Sequence, residues 1–309
     1  VDAAGTGGVM AVPLRARAKT HGALAVLRGE GEELTAEDLK LGNLLGHQTA
    51  LAFANLELIA QVRRTERIRR ELEMAAEIQA SILPPPLTEA GPLTAVASCQ
   101  PAQEVGGDAY LVLPAGDGLL AGVADVSGHG LSSALLMNAF ASEVQALALT
   151  ETRPGALLTA TNRLIADRVG EMSLFVTVAL IQCDGDGRLA MASAGHPPAM
   201  ILTPGGEVRP VDIGGVPLGV LDDEVYEEAI FEPDEYNAIV LYSDGLTEAR
   251  NAAGEMYGLE RLEAMLRDVA GRDADPRRVH AVILDDLARF AGDVAQADDL
   301  TVLAVGRRR

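Results

Sequence analysis

Four aspartates sit where a carboxylate can do chemistry. Gly106-Gly107-Asp108 leads into a short apolar run, and Ala124-Asp125-Val126-Ser127-Gly128-His129-Gly130 is expected to follow a strand and open a helix. Leu241-Tyr242-Ser243-Asp244-Gly245 closes another run, and Asp298-Asp299-Leu300-Thr301 opens the last one. A carboxylate at a strand end points into a cleft while the strand stays in the core, and a glycine beside it lets backbone, water or ligand come close. With no paired His or Cys nearby, such a set of hard oxygen ligands favours Mg2+ or Mn2+ over Zn2+. Four carboxylates suffice for two such ions about 4 Å apart, an arrangement that activates water for attack on a phosphoryl group. A single Asp-Gly pair is most often only a turn. The ordered set of four carries the weight.

The elements that must position these residues are legible along the chain. Between 87 and 309, strand-like runs cover 94–99, 119–126, 174–183, 189–194, 199–203, 238–243 and 300–305. Helix-like runs cover 132–149, 154–169, 259–269 and 276–290. Strand meanders interleaved with helical pairs predict an α+β domain of stacked sheets covered by helices. Asp184-Gly185-Asp186-Gly187 reads as a hairpin turn, because the later ligands of a calcium loop are absent.

Upstream, one helical pattern runs over 36–83. Leu44, Leu51 and Leu58 recur at every seventh position, and after a shift of phase Ile68, Leu72, Ala75, Gln79 and Ile82 continue the stripe. A thin apolar stripe with charged flanks reads as a coiled-coil seam with a stutter, and hence as a homodimer contact. Pro84-Pro85-Pro86 ends the helix. Before it, apolar runs at 9–14 and 22–27 flank a basic, polar stretch, as in a β-hairpin, and Thr35 followed by Glu37 and Asp38 marks a helix start. The expected division is therefore a small α/β module over 1–40, a linker helix over 41–86 and the main domain over 87–309.

Composition excludes several classes of function. Acidic residues outnumber basic ones 45 to 25, giving a net charge of −20, which repels nucleic acid and anionic lipid. No apolar run approaches the roughly 20 residues that span a bilayer. Val1-Asp2-Ala3-Ala4-Gly5 is no signal peptide and lacks Met, as expected of a fragment. Cys99 and Cys183 lie singly within apolar runs, as buried thiols of a reducing cytoplasm do. Lys19 and Lys40, the two lysines, lie outside any phosphate-loop context. No GxSxG elbow or HExxH pair occurs. Asp125, Ser127 and His129 stand too close in sequence for a hydrolase triad.

Taken in order, these motifs resemble the RsbU/SpoIIE-type branch of the metal-dependent protein phosphatases, the PPM or type 2C family. Val105-Gly106-Gly107-Asp108, the Asp125 segment, Ser193-Ala194-Gly195-His196, Leu241-Tyr242-Ser243-Asp244-Gly245-Leu246-Thr247-Glu248 and Asp298-Asp299-Leu300-Thr301 all match. So does Gln79-Ala80-Ser81-Ile82-Leu83-Pro84 just ahead of the domain. The resemblance implies an αββα sandwich with two Mn2+ or Mg2+ ions at one end of the stacked sheets. It implies Asp108, Asp125, Asp244 and Asp298 as ligands, with the Val126 carbonyl, and Asp299 beside Asp298 as a further candidate. It also implies dephosphorylation of a serine or threonine on a STAS-type anti-sigma-factor antagonist. Residues 1–40 resemble the last strands and final helix of a GAF sensor domain.

The sequence departs from the family pattern at Leu111, where a second acid usually follows the first motif, and at His129, where lysine is common. His129 has the reach to touch phosphate or an incoming loop, or to be an exposed turn residue. His196, in Gly195-His196-Pro197-Pro198, reads as part of a rigid turn. The loss at Leu111 keeps a second reading open: a phosphatase fold, weak or inactive, that binds a phosphoprotein as a dimeric scaffold.

Overall fold

The structure, a computed structural model, describes residues 6–29, 32–128, 130–170 and 173–307. The chain divides into two compact units, Val1–Glu71 and Leu72–Arg309.

In the first unit, β1 (Thr6–Ala16) and β2 (Lys19–Gly29) pair antiparallel as the hairpin expected from the two apolar runs. Helix α1 (Ala36–Ile82) begins where the sequence marks it. Thr35 N–H donates to Asp38 Oδ2 at 2.8 Å, and Asp38 N–H donates to Thr35 Oγ1 at 3.2 Å, a reciprocal cap. Gly42, Gly46 and Ala50, one turn apart, are buried. A Cβ on Gly42 would lie 2.6 Å from Met10 Cε, and one on Gly46 3.0 Å from Val12 Cγ1. Small residues therefore let the helix backbone lie against the hairpin. Leu44, Leu51 and Leu58 fall outside that stripe and are exposed.

The second unit holds two antiparallel sheets. One has six strands in the order β10 (Val208–Val211), β9 (Ala199–Leu202), β12 (Ala238–Tyr242), β13 (Leu300–Arg307), β4 (Leu93–Gln100) and β3 (Leu87–Ala90). The other has five: β11 (Ala229–Phe231), β8 (Leu189–Ala194), β7 (Val176–Cys183), β6 (Gly118–Val126) and β5 (Asp108–Ala115). Alternate residues of each central strand face opposite layers. Leu119, Ala121 and Val123 of β6 pack between the sheets with Leu303 and Val305 of β13. Leu120, Ala124 and Val126 pack instead under α2 (Leu131–Leu147) and α3 (Pro154–Val169). On the far side, Val302 and Ala304 pack under α5 (Leu259–Ala270) and α6 (Pro276–Ala291). Strands buried on both faces read as continuous apolar runs, which is why the sequence shows them so clearly. The result is the αββα sandwich expected.

Asp125 lies near the end of β6, which covers the strand-like run expected over 119–126, and α2 opens at Leu131, after the segment that carries the acid. The ladder to β7 pairs Val126 with Val176.

Candidate active site

Strand register brings the first two acids together. β5 and β6 pair so that Asp108 stands directly opposite Asp125. Tyr110 and Val112 of β5, and Ala121 and Val123 of β6, face the layer between the sheets. By the two-residue period, Asp108 and Asp125 point to that same side, where the apolar layer ends. The six-stranded sheet meets them in like fashion, with Cys99, Thr301 and Ser243 following Ala97, Leu303 and Leu241 of the same layer. Asp108 is only 3% exposed.

The turn ahead of Asp108 is held from three sides. Asp299 Oδ1 accepts from Ala102 N–H at 2.7 Å, and Oδ2 accepts from Gly107 N–H at 2.6 Å. The Gln79 amide donates to Gly106 O at 2.7 Å and accepts from Gly106 N–H at 3.2 Å. Val126 N–H donates to Gly107 O at 3.1 Å. Both glycines are required by space. A Cβ on Gly106 would lie 2.7 Å from Asp299 Oδ2, and one on Gly107 2.9 Å from the Val126 carbonyl.

Asp244 opens the short helix α4 (Asp244–Glu248) directly after β12. Ser243 N–H donates to Thr301 O at 3.0 Å, and Thr301 N–H donates back to Ser243 Oγ at 2.9 Å. That exchange ties Asp244 to the segment carrying Asp298 and Asp299. The two neighbours do different things. Asp299 spends both oxygens on backbone amides, whereas Asp298 is exposed and accepts only from Asp299 N–H, at 2.8 Å, among the described contacts. Asp298 lines a cleft of about 170 Å3 shared with Val105, Gly128, Gly130 and Ala297.

The charges feel one another. Burial pushes Asp108 well above the carboxylate range, and the Asp125 charge adds to it, while the nearby Ser243 and Thr301 hydroxyls oppose the shift. Neither hydroxyl completes the shell: Asp108 Oδ2 and Thr301 Oγ1 are buried with no hydrogen-bond partner. Asp125 is pushed up to about 7, by burial first, then by Asp244 and Asp298. Asp244 is raised by burial, Asp298 and Glu248. All four acids thus belong to one electrostatic group. Coupling across a low-dielectric cleft is not a closed coordination shell, however. Among the described residues no three His, Cys, Asp or Glu are gathered closely enough to hold a metal ion as placed. The donor set is all oxygen, and Asp108 Oδ2 is buried with no hydrogen-bond partner. The residues therefore suit a hard divalent ion, provided that Asp244 and Asp298 turn inward to meet it.

Residues 115–308 match the family Stage II sporulation protein E (SpoIIE). The chain belongs to the SpoIIE family. The matched span includes Asp125, Asp244 and Asp298 and begins after Asp108. Protein IcfG of Synechocystis sp. is 28% identical over 279 residues, covering 81% of this chain. Phosphoserine phosphatase RsbU of Bacillus subtilis is 26% identical over 245 residues, 79% of this chain. The chain spans 43% of the length of IcfG and 72% of that of RsbU. The solved SiaA-PP2C domain of Pseudomonas aeruginosa superimposes with a TM-score of 0.67 at 27% identity, covering 80% of this chain and 99% of that one. The sandwich is thus a PP2C-type fold.

Other sequence expectations find their places in this SpoIIE-family chain. His196 is buried in the β8–β9 turn, its Nδ1 3.0 Å from Thr177 Oγ1. Burial pushes its pKa down to about 3, so it is neutral. Thr177 is the partner of Asp125 in the β6–β7 ladder, which makes His196 a prop behind the acid strand. His129 lies outside the described residues. Leu111, at the position of the missing acid, is buried in the layer under α2, on the opposite face of β5 from Asp108. Sequence reasoning missed Gln79 as a brace and Asp299 as a latch, although both lie within the motifs that carry the family resemblance. It missed Cys99 too, which donates from Sγ to Asp108 O at 3.7 Å and whose thiol burial pushes up to about 12. No described helix is long and apolar enough to cross a membrane.

Proposed function

We propose that this SpoIIE-family chain is a Mn2+- or Mg2+-dependent protein phosphatase. It hydrolyses phosphoserine or phosphothreonine, and the substrate best fitting the family is a STAS-type anti-sigma-factor antagonist. The observation that carries the reading is the in-register pair Asp108 and Asp125, coupled electrostatically to Asp244 and Asp298, with an unpartnered buried oxygen on Asp108.

Asp108, Asp125, Asp244, Asp298 and the Val126 carbonyl are the groups that would hold two ions. Bound there, such ions supply a water acidified to near neutrality and positive charge opposite the phosphoryl oxygens. The chain's own part is positional. Asp299 and Gln79 hold the Gly106-Gly107 turn so that Asp108 faces Asp125. Asp299 positions that turn through one backbone amide on each of its oxygens, and remains a further candidate ligand beside Asp298. Glycines at 106, 107 and 245 let the segments carrying Asp108 and Asp244 pack closely against Asp299 and the Val126 carbonyl.

The domain reading accompanies this. Residues 1–40 end a GAF-like module, 41–86 form a linker, and 87–309 carry the catalytic domain. Exposed Leu44, Leu51 and Leu58, on a face apart from the buried Gly42, Gly46 and Ala50, support a homodimer through α1. Dimerisation through this linker is read as the regulatory input to the phosphatase.

The deciding experiment measures phosphate release from a phosphoserine-bearing STAS protein with Mn2+, with chelator, and with Asp244→Asn. Turnover that ignores both chelator and substitution would overturn the metal reading. Binding without turnover in any condition would favour the scaffold reading instead.

A further inference from the structure

Two cavities meet at Ala297 and Asp298. The smaller is the cleft of about 170 Å3 lined by Asp298 and Asp299 with Val105, Gly128 and Gly130. The larger, about 540 Å3, leads away from it between α6, the loop after α6 and the end of α4. Its volume falls within the range of pockets that enclose side-chain-sized ligands.

The groove has a distinct chemistry. Leu284, Leu287 and Ala291 recur along one side of α6, and Val294 and Leu300 complete an apolar floor. Glu248, Asp285 and Asp298 stand on the rim against a single base, Arg250. Arg250 is engaged with its own loop, donating from Nη1 to Gly254 O at 2.9 Å. The rim is therefore acidic over an apolar bed. It also adjoins the acid cluster, because Asp298 and Gly245, next to Asp244, line it, and Glu248 is close enough to Asp244 to raise its pKa.

We infer that this groove is the subsite for the residues flanking the phosphorylated serine, and that it selects a large apolar side chain next to a lysine or arginine. The inference rests on the phosphatase reading and deepens it. With the phosphoryl group held at the acid cluster beside Asp298, the next residues of an extended segment reach the groove at about 3.3 Å per residue. The apolar side chain leaves water for the floor of the groove. The basic residue meets the Glu248 and Asp285 carboxylates, on a surface whose overall charge repels acidic sequences.

The test uses the whole chain and two synthetic phosphoserine peptides, one flanked by Leu and Lys, the other by Ala and Glu. Para-nitrophenyl phosphate, too small to reach the groove, reports basal activity. The expected result is a kcat/KM for the Leu/Lys peptide at least about tenfold higher. Ala288→Trp, at an exposed α6 position lining the groove, should abolish that preference and leave para-nitrophenyl phosphate turnover and Tm unchanged. Asp285→Lys should remove the part due to Lys alone. A preference that survives both substitutions, or is absent from the unsubstituted protein, overturns the inference. Peptide binding followed by fluorescence anisotropy reads the groove independently of chemistry. Failure to release phosphate from either peptide with Mn2+, with the Leu/Lys preference in binding intact, would sink the phosphatase reading and leave the groove standing.

Discussion

The Asp299 carboxylate accepts a 2.6 Å hydrogen bond from the Gly107 N–H, a residue 192 positions away in the chain. Its other oxygen takes the Ala102 amide, so one side chain fixes the loop that delivers Asp108. Asp298, its neighbour in sequence, is exposed and accepts from the Asp299 N–H at 2.8 Å. Asp299→Ala is expected to cost about 2–4 kcal/mol, since it strands two donors in a partly buried loop. Asp298→Ala should leave Tm nearly unchanged and reduce the stabilisation by added Mn2+. Thermal melts of the two variants with and without Mn2+ separate the roles. Equal loss of Tm in both would refute the division.

The acid cluster makes the metal-free protein sensitive to pH. An unfolded aspartate releases its proton near 3.8, whereas folded Asp125 holds it to about 7. Between those values the folded state binds more protons, so stability falls as pH rises from about 4 to about 7. Asp125→Asn should flatten that fall. Millimolar Mn2+ or Mg2+ at pH 7.5 should raise Tm by several degrees, because an ion bound only by the folded state stabilises it. Calorimetry across pH 4–8 with chelator and with metal tests both points, and a Tm indifferent to metal would contradict the site.

His196 works with the opposite sign. Its folded pKa is about 3 against an ordinary 6.5, so between those values only the unfolded state takes up the proton. Stability from this residue is intact above about 6.5 and lost as pH falls toward 3. His196→Gln should remove this acid limb and lower stability at neutral pH by about 1–3 kcal/mol through the lost Thr177 contact. Urea unfolding at pH 5 and pH 7.5 reads it directly: an unchanged difference between the two pH values would exclude His196 as its source.

Gly245 tolerates no side chain. A Cβ there would lie 1.9 Å from the Asp299 backbone oxygen, so Gly245→Ala has to push apart α4 and the segment before β13. The expected outcome is a loss of at least about 3 kcal/mol or failure to fold. Gly205→Ala, whose nearest neighbour would be Thr203 Oγ1 at 3.8 Å, is the control and should be near neutral. Comparable Tm values for the two variants would show that the close packing at Gly245 is not rigid.

Leu51→Glu with Leu58→Glu places charges on the exposed stripe of α1 without touching Gly42, Gly46 or Ala50. Sedimentation equilibrium should show a monomer for the double variant and a dimer for the parent. A dimer that survives both charges would rule out this seam.

Much of this molecule was legible as sequence. Strands such as β6 and β13, buried on both faces, announce themselves as unbroken apolar runs, and Thr35 with Asp38 marks the start of α1 by local capping chemistry alone. Gly107 before Asp108 and Gly245 after Asp244 likewise mark two of the candidate acids, because the close approaches they permit are set within a few residues. What the linear order left undecided were relations between distant segments. That Asp125 stands opposite Asp108 on one side and Thr177 on the other follows from the ladders of β6 with β5 and β7. The division of labour between Asp298 and Asp299 depends on amide groups nearly two hundred residues away. The pairing of Gln79 with Gly106, and of Leu111 with the layer under α2, was settled in the same manner. Turns and caps obey local forces; register, sheet stacking and long-range hydrogen bonds come into being only when the two sheets close on each other.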